Sequence, residues 1–379
     1  MSKPKVTFLA SNYIEEWSFD NPDKKGIGHS ETSQIELSQR LAKRGYDVVS
    51  YAPLPEKKAK RFKGVTWDHY SNADYSRDGV WILYRCPKEI DNFKEDRDNQ
   101  KLVFMAQDTF YPDATVERYK KLDRFLCLCP DHQRQVEAEW PCLVGKIFLT
   151  GNGLRVDLVD QILAEGVERN PKKVIYVSSP DRGLKNAAVI INRAREYDPE
   201  ITLHFYYGFD NLKTLGKGQT DAHRFIAERI IKDIQDVVVG MPGVVDHGRI
   251  PQPDLYREMA SAAIVLYPTS FKETGAVAPS MECPALGAIP ITNPIWALRT
   301  NITTGVIIEG NPDHNLLVRA RYAQEVLRLT SDPGQHIQRE MRKVMMKDAR
   351  ERFDYERRVD ELERLFVEVY QGEPEGVAA

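Results

Sequence analysis

Cysteine is scarce in this sequence. There are five in 379 residues (Cys86, Cys127, Cys129, Cys142 and Cys283), an odd number set mostly within apolar runs. A disulfide framework is therefore disfavoured, and reduced, buried thiols are the expectation. Cys127 and Cys129 alternate along "RFLCLC", which puts both on one face of a strand without the partner spacing of a zinc site. Excess charge is also lacking: 53 Lys and Arg against 56 Asp and Glu leave a net −3, which excludes a chain held on nucleic acid by bulk charge. No apolar run approaches the length of a membrane span, and "MSKPKVTFLASNYIEEW" turns acidic too soon for a signal peptide. A cytoplasmic protein is the expectation.

What is present is a series of short apolar runs separated by polar or amphipathic stretches. "KVTFLAS", "YDVVSYA", "VWILYR", "KLVFMAQD", "RFLCLC" and "KIFLTGN" form a first series, and "KKVIYVSS", "ITLHFYYG", "VVDHGRI", "AIVLYPTS", "AIPITNP" and "TGVIIEG" a second. Such alternation reads as βαβ units with parallel sheets, and the length exceeds what one core usually serves. The fold class is α/β, in two consecutive doubly wound halves. The first helix reads as "SETSQIELSQRLAKRG", with Ser30 able to cap it, Gly45 to close it, and Ile35, Leu37, Leu41 and Ala42 to pack it. Between the series, "TGNGLRVDL" offers Gly151, Asn152 and Gly153 for unusual backbone angles. The boundaries expected are a first domain at 1–152, a second at 153–350, and a helical tail at 351–379 long enough to cross back to the first. Ligands of open α/β sheets bind at the carboxyl ends of the strands, so two such domains facing each other predict one deep cleft.

Three segments carry candidate chemistry. "GIGHSET" (Gly26 to Thr32) is a glycine-rich turn at a helix start, suited to phosphate or a sugar hydroxyl, with a ligand-free helix start as its plain alternative. Glu31 stands where a dinucleotide fingerprint needs a third small residue, which disfavours NAD. "SSPDRGLKNA" (178–187) ends the first strand of the second series and presents Ser178, Ser179 and Arg182, whose planar fork suits a diphosphate; a surface turn formed by Asp181 and Arg182 is the alternative. "YPTSFKETGAVAPSMECPALGAIPITNP" brackets the amides of Thr274, Gly275, Ala276 and Val277 between two carboxylates, Glu273 and Glu282. An anion site flanked by hydroxyl acceptors fits a nucleotide sugar.

Taken together, these segments resemble the GT-B glycosyltransferases of the large retaining family 4, over nearly the whole chain. "MAQDT" is similar to that family's histidine-aspartate strand end, and "TGNGLRVDL" to its interdomain exit. The resemblance implies that Glu282 binds the nucleotide ribose and Glu273 a hydroxyl of the donor sugar. It implies further that Arg182, with Ser178, Ser179 and Lys185, holds the diphosphate, and that Gly28 lies close to it. Arg182, Glu273 and Gly28 would be the catalytic set, with His29, Gln107 and the 274–277 amides on the donor. Three departures stand out: eight residues separate Glu273 from Glu282 where the family has seven, His29 follows Gly28, and Gln107 replaces a histidine that contacts the donor sugar. His29 reads either as a ligand contact or as a capping residue, and Gln107 leaves the sugar's identity open.

The implied reaction is retaining transfer of a hexose-type sugar from a UDP-, GDP- or ADP-linked donor to a glycan, a lipid-linked or another hydroxyl acceptor. It needs no cofactor and no metal, the departing phosphate being stabilised by Arg182. A DxD-like triplet, Asp96-Arg97-Asp98, lies in a polar run and reads as a solvated loop. On the acceptor half, Lys57, Lys58, Lys60, Arg61 and Lys63 form a basic cluster open to an anionic membrane surface, an acidic glycan or nucleic acid, or to no partner at all. Trp17, Phe19, Phe110 and Tyr111 read equally as residues lining the acceptor side, by analogy with sugar-stacking aromatics, or as packing residues. Two alternatives accompany this reading: transfer to a modified DNA base, and a nucleotide-sugar-binding protein that has lost catalysis.

Overall fold

The computed structural model describes residues 3–13, 15–217 and 221–371. These residues fall into two compact units, one made of those within 1–22, 27–153 and 353–379 and the other of those within 23–26 and 154–352. Each is built on a mainly parallel sheet.

The sheet of the first unit has eight strands in the order β3-β4-β2-β1-β5-β6-β7-β8. They span Val6–Leu9 (β1), Val48–Ala52 (β2), Lys60–Phe62 (β3), Val65–His69 (β4), Gly79–Tyr84 (β5), Gln100–Met105 (β6), Arg124–Cys127 (β7) and Ile147–Leu149 (β8). All neighbours are parallel except β3 and β4, an edge hairpin that the apolar runs did not reveal because its residues are mostly polar. Residues of the central strands alternate between two cores: Val80, Ile82 and Tyr84 face one, Trp81 and Leu83 the other. Burial on both faces is what turns "VWILY" into a continuous apolar run.

The helix His29–Lys43 covers one face through Ile35, Leu37 and Leu41. Its N-cap is Gly28, not Ser30, since the chain is still extended at Gly28 and helical from His29. It closes as expected at Gly45, whose φ is 86°. The amides of Gly45 and Tyr46 donate to the carbonyls of Ala42 and Leu41 at 2.9 and 3.1 Å, the paired bonds of a Schellman end. The tail is two helices rather than one, Asp332–Phe353 and Tyr355–Gln371. The second belongs to the first unit, burying Val359, Leu362, Leu365 and Phe366 beside the first helix. Arg44 reinforces it with ion pairs to Glu356, Asp360 and Glu363 at 2.6 to 2.8 Å.

The glycines of "TGNG" serve this docking and not unusual backbone angles. A Cβ on Gly153 would lie 2.1 Å from the Tyr355 ring, and one on Gly151 2.8 Å from the Arg358 guanidinium.

The second unit has six strands in the order β11-β10-β9-β12-β13-β14. They span Asn170–Val177 (β9), Thr202–Tyr206 (β10), Val244–Asp246 (β11), Ala262–Tyr267 (β12), Ile289–Thr292 (β13) and Val306–Ile307 (β14), every neighbouring pair parallel. The order runs outward in both directions from β9 and β12, which leaves a crevice at the carboxyl ends of those two strands. Among the described residues no helix is long and apolar enough to cross a membrane.

Candidate functional site

Beyond the ends of β9 and β12, Ser178, Arg182 and Glu273 are linked into one group. Beyond β9, the loop Ser178–Gly183 folds tightly: the Arg182 amide donates to the Ser179 carbonyl at 3.0 Å, and the Tyr176 hydroxyl donates to the same carbonyl at 2.8 Å. Ser179 caps its own turn by donating to the Asp181 carboxylate. Gly183, at φ 121°, begins the helix Leu184–Arg195, and a Cβ there would lie 2.5 Å from the Pro268 carbonyl oxygen. Only glycine lets the loop pack so closely on the exit of β12.

That approach brings Arg182 to Glu273. The Arg182 Nη1 lies 3.2 and 3.1 Å from the two carboxylate oxygens, and the guanidinium stacks 4.4 Å from the Phe271 ring centroid. Burial opposes the charge on Arg182, but Glu273 and the neighbouring Tyr267 and Asp181 outweigh it and raise its pKa. Glu273 is only 5% exposed. Its Oε1 accepts from the Tyr267 hydroxyl, which also lies 3.1 Å from Ser178 Oγ. Tyr267 thus joins the phosphate loop to the carboxylate.

Beyond Glu273 the chain turns at Ala276, a non-glycine residue at φ 49°, and Asn301 holds the turn by donating to the Gly275 carbonyl at 3.0 Å. Among the described residues, the amides of Gly275 and Ala276 donate to no main-chain carbonyl. The next turn, Ala278–Glu282, is π-helical. A π turn carries one residue more than an α turn, and Glu282 at its end is buried, at 6% exposure. Its Oε1 accepts from Tyr256 at 2.8 Å and from Gln252 at 2.9 Å, both on the helix Gln252–Ser261. Burial raises the Glu282 pKa, and these two donors and the charge of Arg155 oppose the rise. Arg155 reaches the same network, donating to Gln252 at 2.9 Å and pairing with Asp23 at 2.7 Å.

Lys185 is not brought to the Arg182 and Glu273 pair. It sits on the outer face of its helix, paired with Asp233 at 2.7 Å, because its position in the first turn points away from the loop.

In the first unit, the residues flanking the carboxyl ends of β1, β5 and β6 form a second polar group. Gly28 has an ordinary φ of −63°, and a Cβ there would lie 2.2 Å from Glu31 Oε2, so a larger residue would displace the Glu31 carboxylate. The Glu31 carboxylate folds back over the helix start and lies 3.5 Å from Arg85, whose Nε donates to Asp108 at 2.6 Å. Arg85 holds this position at φ 58°. His29 does not cap the helix. Its Nε2 is 3.3 Å from the Tyr355 hydroxyl, the two rings are nearly parallel, and burial pushes its pKa down to about 3. Gln107 donates to Asn152 at 3.2 Å, while its amide and that of Asp108 donate to the Tyr111 hydroxyl at 2.8 and 2.9 Å.

Of the aromatic candidates for the acceptor side, Trp17 lies in the core and Phe19, half-buried, packs against it. Trp17 is buried edge-on against Trp67, and Phe19 stacks on Phe62 at 4.5 Å. Tyr111 is buried beneath the end of β6, and Phe110 alone is open to solvent, at 75% exposure. Lys57, Lys58, Lys60, Arg61 and Lys63 are exposed on and around β3. In the DxD-like triplet, Arg97 is stapled to Asp123 at 2.7 Å while both aspartates are exposed.

Sequence reasoning missed Tyr267, Gln252, Tyr256 and Arg85. Tyr267 and Arg85 each stand at or just beyond the last residue of an apolar strand, a position that marks a crevice residue. Gln252 and Tyr256 left no signal, since a polar residue in the first turn of an amphipathic helix is ordinary.

No protein-family model matches the chain, and no curated protein matches it in sequence. Solved structures do match. Sucrose-phosphate synthase from Thermosynechococcus elongatus superposes with a TM-score of 0.70 at 14% identity, over 98% of this chain and 100% of the other. The catalytic domain of starch synthase IV from Arabidopsis thaliana, bound to ADP and acarbose, gives 0.69 at 11% over 98% and 100%. A trehalose-6-phosphate synthase studied for glycosyl transfer with retention gives 0.67 at 11%, again over 98% and 100%. The two parallel sheets and these likenesses establish the fold expected from the sequence, that of the GT-B glycosyltransferases.

Proposed function

We propose that this chain is a metal-independent, retaining glycosyltransferase that transfers a hexose-type sugar from a nucleoside-diphosphate donor to a hydroxyl of a glycan or related acceptor. The observation that carries the reading is the Arg182–Glu273 pair beyond β9 and β12, with the buried Glu282 farther along the same segment of chain. A sugar diphosphate needs charge compensation for its phosphates and hydroxyl acceptors for its sugars, which a guanidinium and two buried carboxylates can supply.

In this reading Arg182 and the amides of residues 274–277 hold the diphosphate. They stabilise the negative charge that grows on it as the bond to the anomeric carbon breaks. Buried Glu282, oriented by Tyr256 and Gln252, accepts from the ribose hydroxyls, and Glu273 from a hydroxyl of the sugar. ADP in starch synthase IV, and retention in the trehalose-6-phosphate synthase, support by analogy of fold the donor class and the stereochemistry. The exposed Lys57–Lys63 hairpin of the first unit suits an anionic acceptor or membrane surface.

The test is calorimetric titration with UDP, GDP, ADP and their common sugar conjugates. Arg182→Ala should weaken binding of the recognised donor about 10- to 150-fold, the loss of one charge-assisted contact, and reduce turnover with it. Glu282→Ala should mainly weaken the nucleotide. Turnover should survive EDTA. Nucleotide binding by both variants at parental strength would sink the assignment.

A further inference from the structure

Arg182, the residue read above as the diphosphate ligand, already has a carboxylate on it. Glu273 contacts it through Nη1 alone, at 3.1 and 3.2 Å, and the Arg182 Nε is buried with no partner. This is a poor use of a guanidinium, which binds best through two short parallel bonds from its fork. Glu273, in contrast, is well held from its other side by the buried Tyr267 hydroxyl, which also reaches Ser178 Oγ.

Resting on the proposed donor site, we infer that Glu273 is a resident counter-ion of Arg182 that competes with the donor's phosphate for it. The arriving diphosphate takes the guanidinium, and Glu273 turns to the sugar hydroxyl while Tyr267 keeps it in place. Tyr267 is then a positioning residue: it acts on the sugar only through Glu273. Glu273 is the buried member of the pair, and a buried charge is costly to leave unpaired, so Arg182 compensates the carboxylate until a phosphate takes its place. Two anions cannot share one guanidinium without repulsion, so the carboxylate must weaken binding of a bare nucleoside diphosphate. The full donor recovers that loss through the bond from sugar hydroxyl to carboxylate. The site therefore discriminates the intact donor from its spent nucleotide, which carries the same phosphates without the sugar.

The experiment compares the full-length protein with Glu273→Gln and Tyr267→Phe by calorimetry, using UDP, GDP, ADP, the sugar conjugate of whichever binds, and inorganic pyrophosphate. Glu273→Gln should bind the recognised nucleoside diphosphate and pyrophosphate about tenfold more tightly than the parent. It should also lose the extra affinity that the sugar adds. Tyr267→Phe should leave nucleoside diphosphate affinity within about twofold while cutting the sugar's increment. A merely structural role for the tyrosine would weaken both together. Unchanged or weaker diphosphate binding by Glu273→Gln overturns the inference while leaving the donor site intact, as does a parallel loss in Tyr267→Phe. If the parent binds none of the nucleotides, the reading of the site fails first, and the inference with it.

Discussion

Gly183→Ala tests whether the phosphate loop is as tightly set as the geometry requires. The added methyl would lie 2.5 Å from the Pro268 carbonyl oxygen and 3.1 Å from its carbon, with rigid backbone on both sides. Neither partner is the tip of a flexible side chain that can swing away. The residue also sits at φ 121°, which costs an alanine on the order of 1–3 kcal/mol before any clash is counted. Relieving the overlap means moving the loop away from the end of β12 by about half an ångström or more, at about 1–3 kcal/mol further. The sum is about 2–6 kcal/mol, which in a unit of this size lowers the melting temperature by about 4 °C at the least. The displacement also separates Arg182 from Glu273, because one rides on the loop and the other on the chain leaving β12. Thermal unfolding followed by circular dichroism, with nucleotide affinity measured in parallel, checks both. A variant that melts with the parent and binds nucleotide equally well would show that the contact is soft, and the loop's placement would lose its physical basis.

Two further outcomes test the first unit. His29 is held neutral, its pKa lowered to about 3 from 6.5, so the unfolded chain takes up a proton that the folded one refuses. The stability this contributes is present above pH 6.5 and lost as pH falls toward 3; at pH 5 the loss is about 2 kcal/mol. Denaturant titrations from pH 8 to 5 should show that fall in the parent and a smaller one in His29→Asn, and equal slopes would refute it. Leu362→Ala removes a buried side chain where the C-terminal helix meets the first helix, at about 2–5 kcal/mol. Urea unfolding should register that loss, and a change under 1 kcal/mol would mean that the helix is not seated as described.

Much of the architecture is legible in the sequence because parallel strands buried on both faces must be apolar throughout. Each of the twelve apolar runs corresponds to a strand. The β3–β4 hairpin escaped because an edge strand with charged residues carries no such run, and lysines there blunt an edge that would otherwise recruit other strands. The break at Asp354 escaped because both flanking segments share helical periodicity. Of the site, Arg182, Glu273, Glu282 and Gly183 stood out through residue type and position after strands. Tyr267 and Gln252 did not, since a hydroxyl or amide gains its role from the carboxylate it touches.

The sequence by itself determined the fold class, the repeat of two doubly wound halves and the loops that bear the polar residues. These follow from local periodicity and from turn chemistry, which are properties of neighbours along the chain. The tertiary structure alone decided which of those residues meet. It set Arg182 on Glu273, 91 residues apart, and turned Lys185 toward Asp233. It set Glu282 at the end of a π-helical turn against Gln252 and Tyr256. It also placed Trp17 in the core, and gave Gly153 its reason in the ring of Tyr355. Such pairings depend on strand order and on close approach of backbone to side chain, and neither is written in any stretch of neighbouring residues.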